Sequence, residues 1–78
     1  MTTTRKLSRK AHQVLDSMSS DWREATCRLL DIAAGDTDFQ ASRRAVEIIR
    51  KNGYAVRNDN GHIVLTAAGL AFLQVQFA

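Results

Sequence analysis

Leu7, Ala11, Val14, Leu15 and Met18 recur at the three- and four-residue spacing that lines one side of a helix, which predicts a first helix over residues 7–18. Ser17, Ser19 and Ser20 end it, because hydroxyls close to the backbone compete for its hydrogen bonds. A second helix is predicted from Asp21, with Glu24 three residues on as in a capping box. Its buried face is Trp22, Ala25, Leu29, Ile32 and Ala33, bordered by Cys27 and Leu30, and Gly35 stops it. The polar turn Asp36-Thr37-Asp38 leads into a third helix over residues 38–52, where Thr37 and Gln40 repeat the capping-box spacing. Phe39, Ser42, Ala45, Val46 and Ile49 form its inward stripe with Ile48 at the margin, and Gly53 closes it. Its outward face carries Gln40, Arg43, Arg44, Glu47, Arg50 and Lys51.

Beyond Gly53 the apolar period drops to that of a strand. Tyr54-Ala55-Val56-Arg57 and His62-Ile63-Val64-Leu65 flank Asn58-Asp59-Asn60-Gly61, a strong turn signal. Residues 54–65 are therefore predicted to form a two-stranded hairpin with Tyr54, Val56, Ile63 and Leu65 on one side. An isolated hairpin is marginal in water, so this one must lean on the helices. Thr66 caps a last helix running from Ala67 to about residue 74. Leu73 to Phe77 also alternate as a strand would, which leaves the end of that segment open between helix and strand. The fold class is mainly α with a β-hairpin, an α+β arrangement.

The 78 residues are one domain's worth of chain, and at that size only about 60–65 % of the unfolded surface is buried on folding. Proline is absent and the four glycines stand singly, so no linker, repeat or low-complexity tract is expected. Cys27 is the only cysteine, which excludes an internal disulfide and points to a reducing compartment. No apolar run approaches the roughly 20 residues of a membrane span. Met1 to Lys6 has basic residues without an apolar stretch behind them, unlike a secretory signal, so the expected location is cytoplasmic, away from membranes.

The net charge of +3 is a weak signal alone, but its distribution is informative. Arg5, Lys6, Arg9 and Lys10 form one cluster and Arg43, Arg44, Arg50, Lys51 and Arg57 another, while only Arg23 and Arg28 lie elsewhere. The stretch between the clusters holds most of the acids, among them Asp16, Asp21, Glu24, Asp31, Asp36 and Asp38.

Residues 48–73, IIRKNGYAVRNDNGHIVLTAAGLAFL, carry a specific set of landmarks: Gly53 at a helix end, a turn at Asn58 to Gly61, and Leu65-Thr66-Ala67-Ala68-Gly69 opening the next helix. In these respects the chain resembles the winged helix-turn-helix domain of small bacterial and phage-type regulators. The resemblance implies three helices, a two-stranded wing and a C-terminal helix in one domain over residues 7–78, preceded by a flexible basic arm at 1–6. It further implies a DNA-binding transcriptional regulator that reads duplex DNA with the helix at 38–52 and the wing at 54–65. The second helix is longer than the family's positioning helix, and Asp36 and Asp38 stand where the family tolerates phosphate.

On that reading Gln40, Arg43 and Arg44 are the base-reading candidates, because arginine pairs in bidentate fashion with guanine O6 and N7. Arg50 and Lys51 are phosphate contacts, with Glu47 on the same face. The plainer alternative is a solvated face in which Glu47 pairs with Arg43 or Lys51 one helical turn away. Arg57 on the wing, assisted by amides of Asn58 and Asn60, is placed beside a phosphate or the minor groove, against the alternative of a polar hairpin tip. Arg5, Lys6, Arg9 and Lys10 add salt-dependent phosphate affinity or simply solubilise the first turn. Leu70, Phe72, Val75 and Phe77 cannot all face inward from one terminal helix with Leu73. They are expected to form an oligomer interface, giving a homodimer whose two-fold axis matches palindromic DNA, unless the segment wraps its own core.

Catalytic chemistry finds no support. His12 and His62 are each alone in sequence, without the further Cys, His or acid that a zinc site needs. Cys27 reads as a small buried hydrophobe, and the isolated glycines form no phosphate-cradling loop. Neither cofactor nor metal is expected. A different class of reading is a protein-interaction module on a winged-helix scaffold, an accessory protein of a mobile element or phage that docks on a host or partner protein. Asp36 and Asp38, the small size and the apolar tail motivate it.

Overall fold

The computed structural model describes residues 8–35 and 40–77. Arg5, Lys6 and Leu7 of the expected arm and first stripe, Asp36, Thr37 and Asp38 of the turn, and Phe39 of the expected third-helix stripe lie outside those residues. Within them the chain forms α1 (Arg9–Asp16), α2 (Ser20–Ala33), α3 (Arg43–Lys51), β1 (Ala55–Arg57), β2 (Ile63–Leu65) and α4 (Ala67–Gln76). It is thus mainly helical with one antiparallel hairpin, an α+β fold.

Each helix starts at a hydroxyl residue in extended backbone whose side chain accepts an N–H from the first turn. Ser8 accepts from Ala11, Ser19 from Trp22, Ser42 from Ala45 and Thr66 from Gly69. Two of these caps correct the sequence reading. Ser19, not Asp21, caps α2, so Glu24 is not needed in a capping box and its carboxylate is used elsewhere. Ser42, expected in the inward stripe of the third helix, is its cap, and the helix is shorter than residues 38–52. The terminal segment is helical to Gln76, which settles the choice between helix and strand.

Helix α2 is the centre of the packing, touching α1, α3, β2 and α4. Ala25, Leu29 and Ile32 of α2, Ala45 and Ile49 of α3 and Leu73 of α4 form the buried cluster. Ala33, expected in the α2 face, is exposed, and Thr26 is fully buried in its stead. The Thr26 hydroxyl donates to the sulfur of Met18, which satisfies a buried polar group and ties α2 to the residues just past α1. Phe72 of α4 stacks on Tyr54 with ring centroids 4.7 Å apart and leans on Trp22 at 5.9 Å, an aromatic trio that joins the last helix to the second.

The hairpin pairs Ala55 with Leu65, Val56 with Val64 and Arg57 with Ile63. Side chains alternate across a strand, so Ala55, Leu65 and Ile63 share the inner side, while Val56 and Val64 point outward and are 51 % and 38 % exposed. This corrects the expected grouping of Val56 with Ile63 and Leu65. The reason is the turn: the Asn58 N–H donates to the His62 carbonyl, so residue 58 pairs with 62 across Asp59-Asn60-Gly61 and Val56 falls opposite Val64 instead of Ile63.

Candidate functional site

The α3 sequence RRAVEIIRK has Ala45, Ile48 and Ile49 toward the core and its charges on the remaining arc. With 100° per residue, that arc divides into three lines. Arg43 and Glu47 form the crest. Arg44 and Lys51 lie on the α2 side, where they line a hollow together with Asp21 and Trp22. Arg50 lies on the hairpin side. All five are exposed. Arg44 makes an exposed ion pair of 3.5 Å with Asp21, a geometry that contributes about 0–1 kcal/mol and holds the side chain only loosely. Glu47 forms no ion pair with a described residue, so the pairing with Arg43 or Lys51 that the plainer alternative invoked is not made.

Gln40 is exposed but stands ahead of the helix, which removes it from the α3 face on which it was expected. The cause is the carboxylate of Glu24 on α2. It accepts the backbone N–H and the hydroxyl of Ser42, each at 2.7 Å, and so fixes Ser42 as the point where the helix begins. The same two bonds, the backbone one first, hold the Glu24 carboxyl below the ordinary carboxylate range.

The hairpin tip is organised by its own residues. The Asn58 side-chain oxygen accepts the N–H groups of Asn60 and His62, each at 3.0 Å, and the Asn58 N–H donates to the His62 carbonyl. The backbone N–H groups of Asn58 and Asn60 are thus committed to the turn, so assistance to Arg57 from these residues falls to their side-chain amides. Arg57 Nη1 donates to the Gly61 carbonyl at 2.7 Å, which holds the exposed guanidinium alongside the turn.

Between α3 and the hairpin runs a groove of about 330 Å³ lined by Val46, Ile49, Arg50, Ala55, Val56, Arg57 and Ile63. It brings Arg50 and Arg57, one cation from each element, to one depression. Val46, expected in the inward stripe, is 37 % exposed here. Sequence reasoning missed the groove because Val46 and Val56 both obey the apolar period of their elements. The available signal was that Val46 sits one helical step from Ala45 and only one turn before Arg50, at the border of the stripe.

Arg9 and Lys10 are exposed in the first turn of α1. Of the residues expected at an oligomer interface, Phe72 and Phe77 are half-buried against the core, whereas Leu70 and Val75 are 50 % and 76 % exposed. Trp22 and Tyr54 offer Phe72 a place in the domain's own packing. Among the described residues no three His, Cys, Asp or Glu side chains gather where they could hold a metal, and no helix is long and apolar enough to cross a membrane. No protein-family model, curated protein or solved structure matches the chain.

Proposed function

We propose that this chain is a winged helix-turn-helix protein that binds duplex DNA through α3 and the hairpin, and that it regulates by occupying a site, without catalysis. The observation that carries the reading is the pairing of Arg50 and Arg57 across one groove beside the exposed crest of α3. Cations contributed by a helix and by the adjacent hairpin are what a surface needs to follow a phosphate backbone on both sides of the groove it reads. Arg43 stands in the first turn of α3, the part of a recognition helix that meets base edges. Arg44 can leave Asp21 for a phosphate at little cost, because their pair is exposed.

The test is a mobility-shift titration at several salt concentrations, with specific and random competitor DNA. Replacing Arg50 and Arg57 together by alanine lowers the slope of log affinity against log salt by about 2, without changing which sequence is preferred. Arg43→Ala costs about 1–3 kcal/mol of sequence preference. If the folded protein shifts no duplex at about 50 mM salt, the reading is wrong.

A further inference from the structure

The groove between α3 and the hairpin has a composition that phosphate binding alone does not explain. Its floor is aliphatic, formed by Val46, Ile49, Val56 and Ile63, and its charged members are two guanidiniums with no carboxylate among the lining residues. Val46 and Val56 each leave more than a third of their surface in water.

The backbone adds a second observation. In an antiparallel pair, hydrogen-bonded positions alternate with positions whose N–H and C=O point away from the partner strand. The Thr66 N–H donates to the Tyr54 carbonyl and the Asn58 N–H to the His62 carbonyl, which makes 54 with 66 and 58 with 62 the bonded kind. By the register, Val56 with Val64 is the bonded pair between them, and Ala55 and Arg57 direct their N–H and C=O groups away from β2. Ala55 and Val56 point to opposite sides of the sheet yet both line the groove, so the groove follows the outer edge of β1.

We propose that this groove is a docking site for an extended segment of a partner protein that carries both aliphatic residues and Asp or Glu on the side facing α3. The segment adds to the β1 edge through the backbone of Ala55 and Arg57, the strand-addition mode of peptide recognition. Its aliphatic side chains lie on Val46, Ile49 and Ile63, and its carboxylates meet Arg50 and Arg57. Charge complementarity selects this occupant over a basic one, and the unpaired strand edge selects an extended chain over a helix. The inference does not rest on the DNA reading, although the two share Arg50 and Arg57.

The experiment uses the isotopically labelled full chain and three probes in heteronuclear NMR titrations: a blocked hexapeptide Val-Val-Glu-Glu-Val-Val, which has both residue types on each side of an extended chain, the same peptide with Lys for Glu, and a random-sequence duplex. The expected result is that the Glu peptide moves the amide signals of Ala55 and Arg57. It should bind at least about tenfold more tightly than the Lys peptide, and lose at least that factor with Val46→Asp or Val56→Asp. Exchanging both arginines for glutamate (Arg50→Glu with Arg57→Glu) reverses the preference toward the Lys peptide. Because Val46 and Val56 are partly exposed, the dispersion of the remaining signals shows that the variants keep the fold. Equal binding of both peptides, signal changes that map away from β1, or changes at Ala55 and Arg57 caused by the duplex but by neither peptide would each overturn the proposal. DNA binding that survives while both peptides fail removes this inference alone; peptide binding without any duplex binding removes the DNA reading alone.

Discussion

The two ends of α3 are anchored by opposite means. At its C-terminal end the chain turns back through Gly53, whose φ of 66° is a conformation that favours glycine, and then runs against α4 with almost no space. Thr66 donates its hydroxyl to the Gly53 carbonyl and its N–H to the Tyr54 carbonyl, and then caps α4 through Gly69. At the N-terminal end the anchor is the half-buried Glu24 side chain, whose carboxylate reaches Ser42. One end is held by close backbone approach and apolar cover, the other by two charge-assisted hydrogen bonds in water. The difference teaches that the Leu-Thr-x-x-Gly landmark is occupied by architecture. It positions α3 and the hairpin, and it contributes no group to the candidate surface.

The largest effect expected from breaking this arrangement is at the closed end. A Cβ on residue 69 would run into the carbonyl oxygen of Tyr54 and stand 3.2 Å from Leu65 Cδ2, and the obstacle is backbone that cannot turn aside. Gly69→Ala should therefore destabilise the domain by about 3 kcal/mol or more, despite alanine's better helix propensity, because overpacking outweighs the roughly 1 kcal/mol that propensity returns. Thermal unfolding followed by far-ultraviolet circular dichroism measures it. A melting temperature at or above that of the parent would show that α4 does not pass so near Tyr54.

At the open end the same kind of experiment should read a smaller number. Ser42→Ala removes the cap of α3 and the donor hydroxyl for Glu24 together, and a lost serine cap costs about 1 kcal/mol. The backbone N–H of residue 42 remains to bond the carboxylate, so the helix should fray at Arg43 and Arg44 without the fold being lost. Amide exchange at Ala45, the N–H that Ser42 caps, should quicken while that at Ile49 stays protected. Equal protection in parent and variant would mean that the cap does not hold the helix start.

The same contrast explains what was readable in the residues. Helices with a clean apolar stripe, such as the one bearing Ala11 and Leu15, and the hairpin with its Asn-rich turn are visible because period and turn chemistry are local. The start of α3 was misplaced because Thr37 and Ser42 both offer a capping hydroxyl, and the choice of Ser42 is made by Glu24, 18 residues away in sequence. The strand faces differ from the expected grouping because Asn58 pairs with His62 and so belongs to the ladder and not to the turn, and a one-residue change of register moves a side chain to the other side. Phe72 and Phe77 cannot be separated from Leu70 and Val75 in the residues alone, because α4 is apolar around most of its circumference and its own sequence does not say which side meets Trp22 and Tyr54. Of the candidate surface, the cations of α3 and Arg57 could be named in advance. Their grouping around an apolar groove could not, since it depends on how far the hairpin stands from α3.

The smallest effect distinguishes the two anchors by their response to acid. Glu24 has its carboxyl held below the ordinary carboxylate range, first by the Ser42 N–H and then by the Ser42 hydroxyl. A group whose pKa is lowered by folding adds stability that is present above its unfolded value and is lost as pH falls through its folded value. The N-terminal anchor should thus be intact at neutral pH and fade below the ordinary carboxylate range. The seam at Gly69, built from backbone and aliphatic contacts, contains no group that titrates there. Glu24→Gln should consequently lower the melting temperature slightly at pH 7, and the gap from the parent should close as the pH is taken toward 3. Gly69→Ala should keep its gap across the same interval. Melting curves of the three proteins at matched ionic strength decide the point. If the Glu24→Gln gap is the same at both ends of the titration, the carboxylate is not what fixes Ser42, and the start of the candidate surface is set by something else.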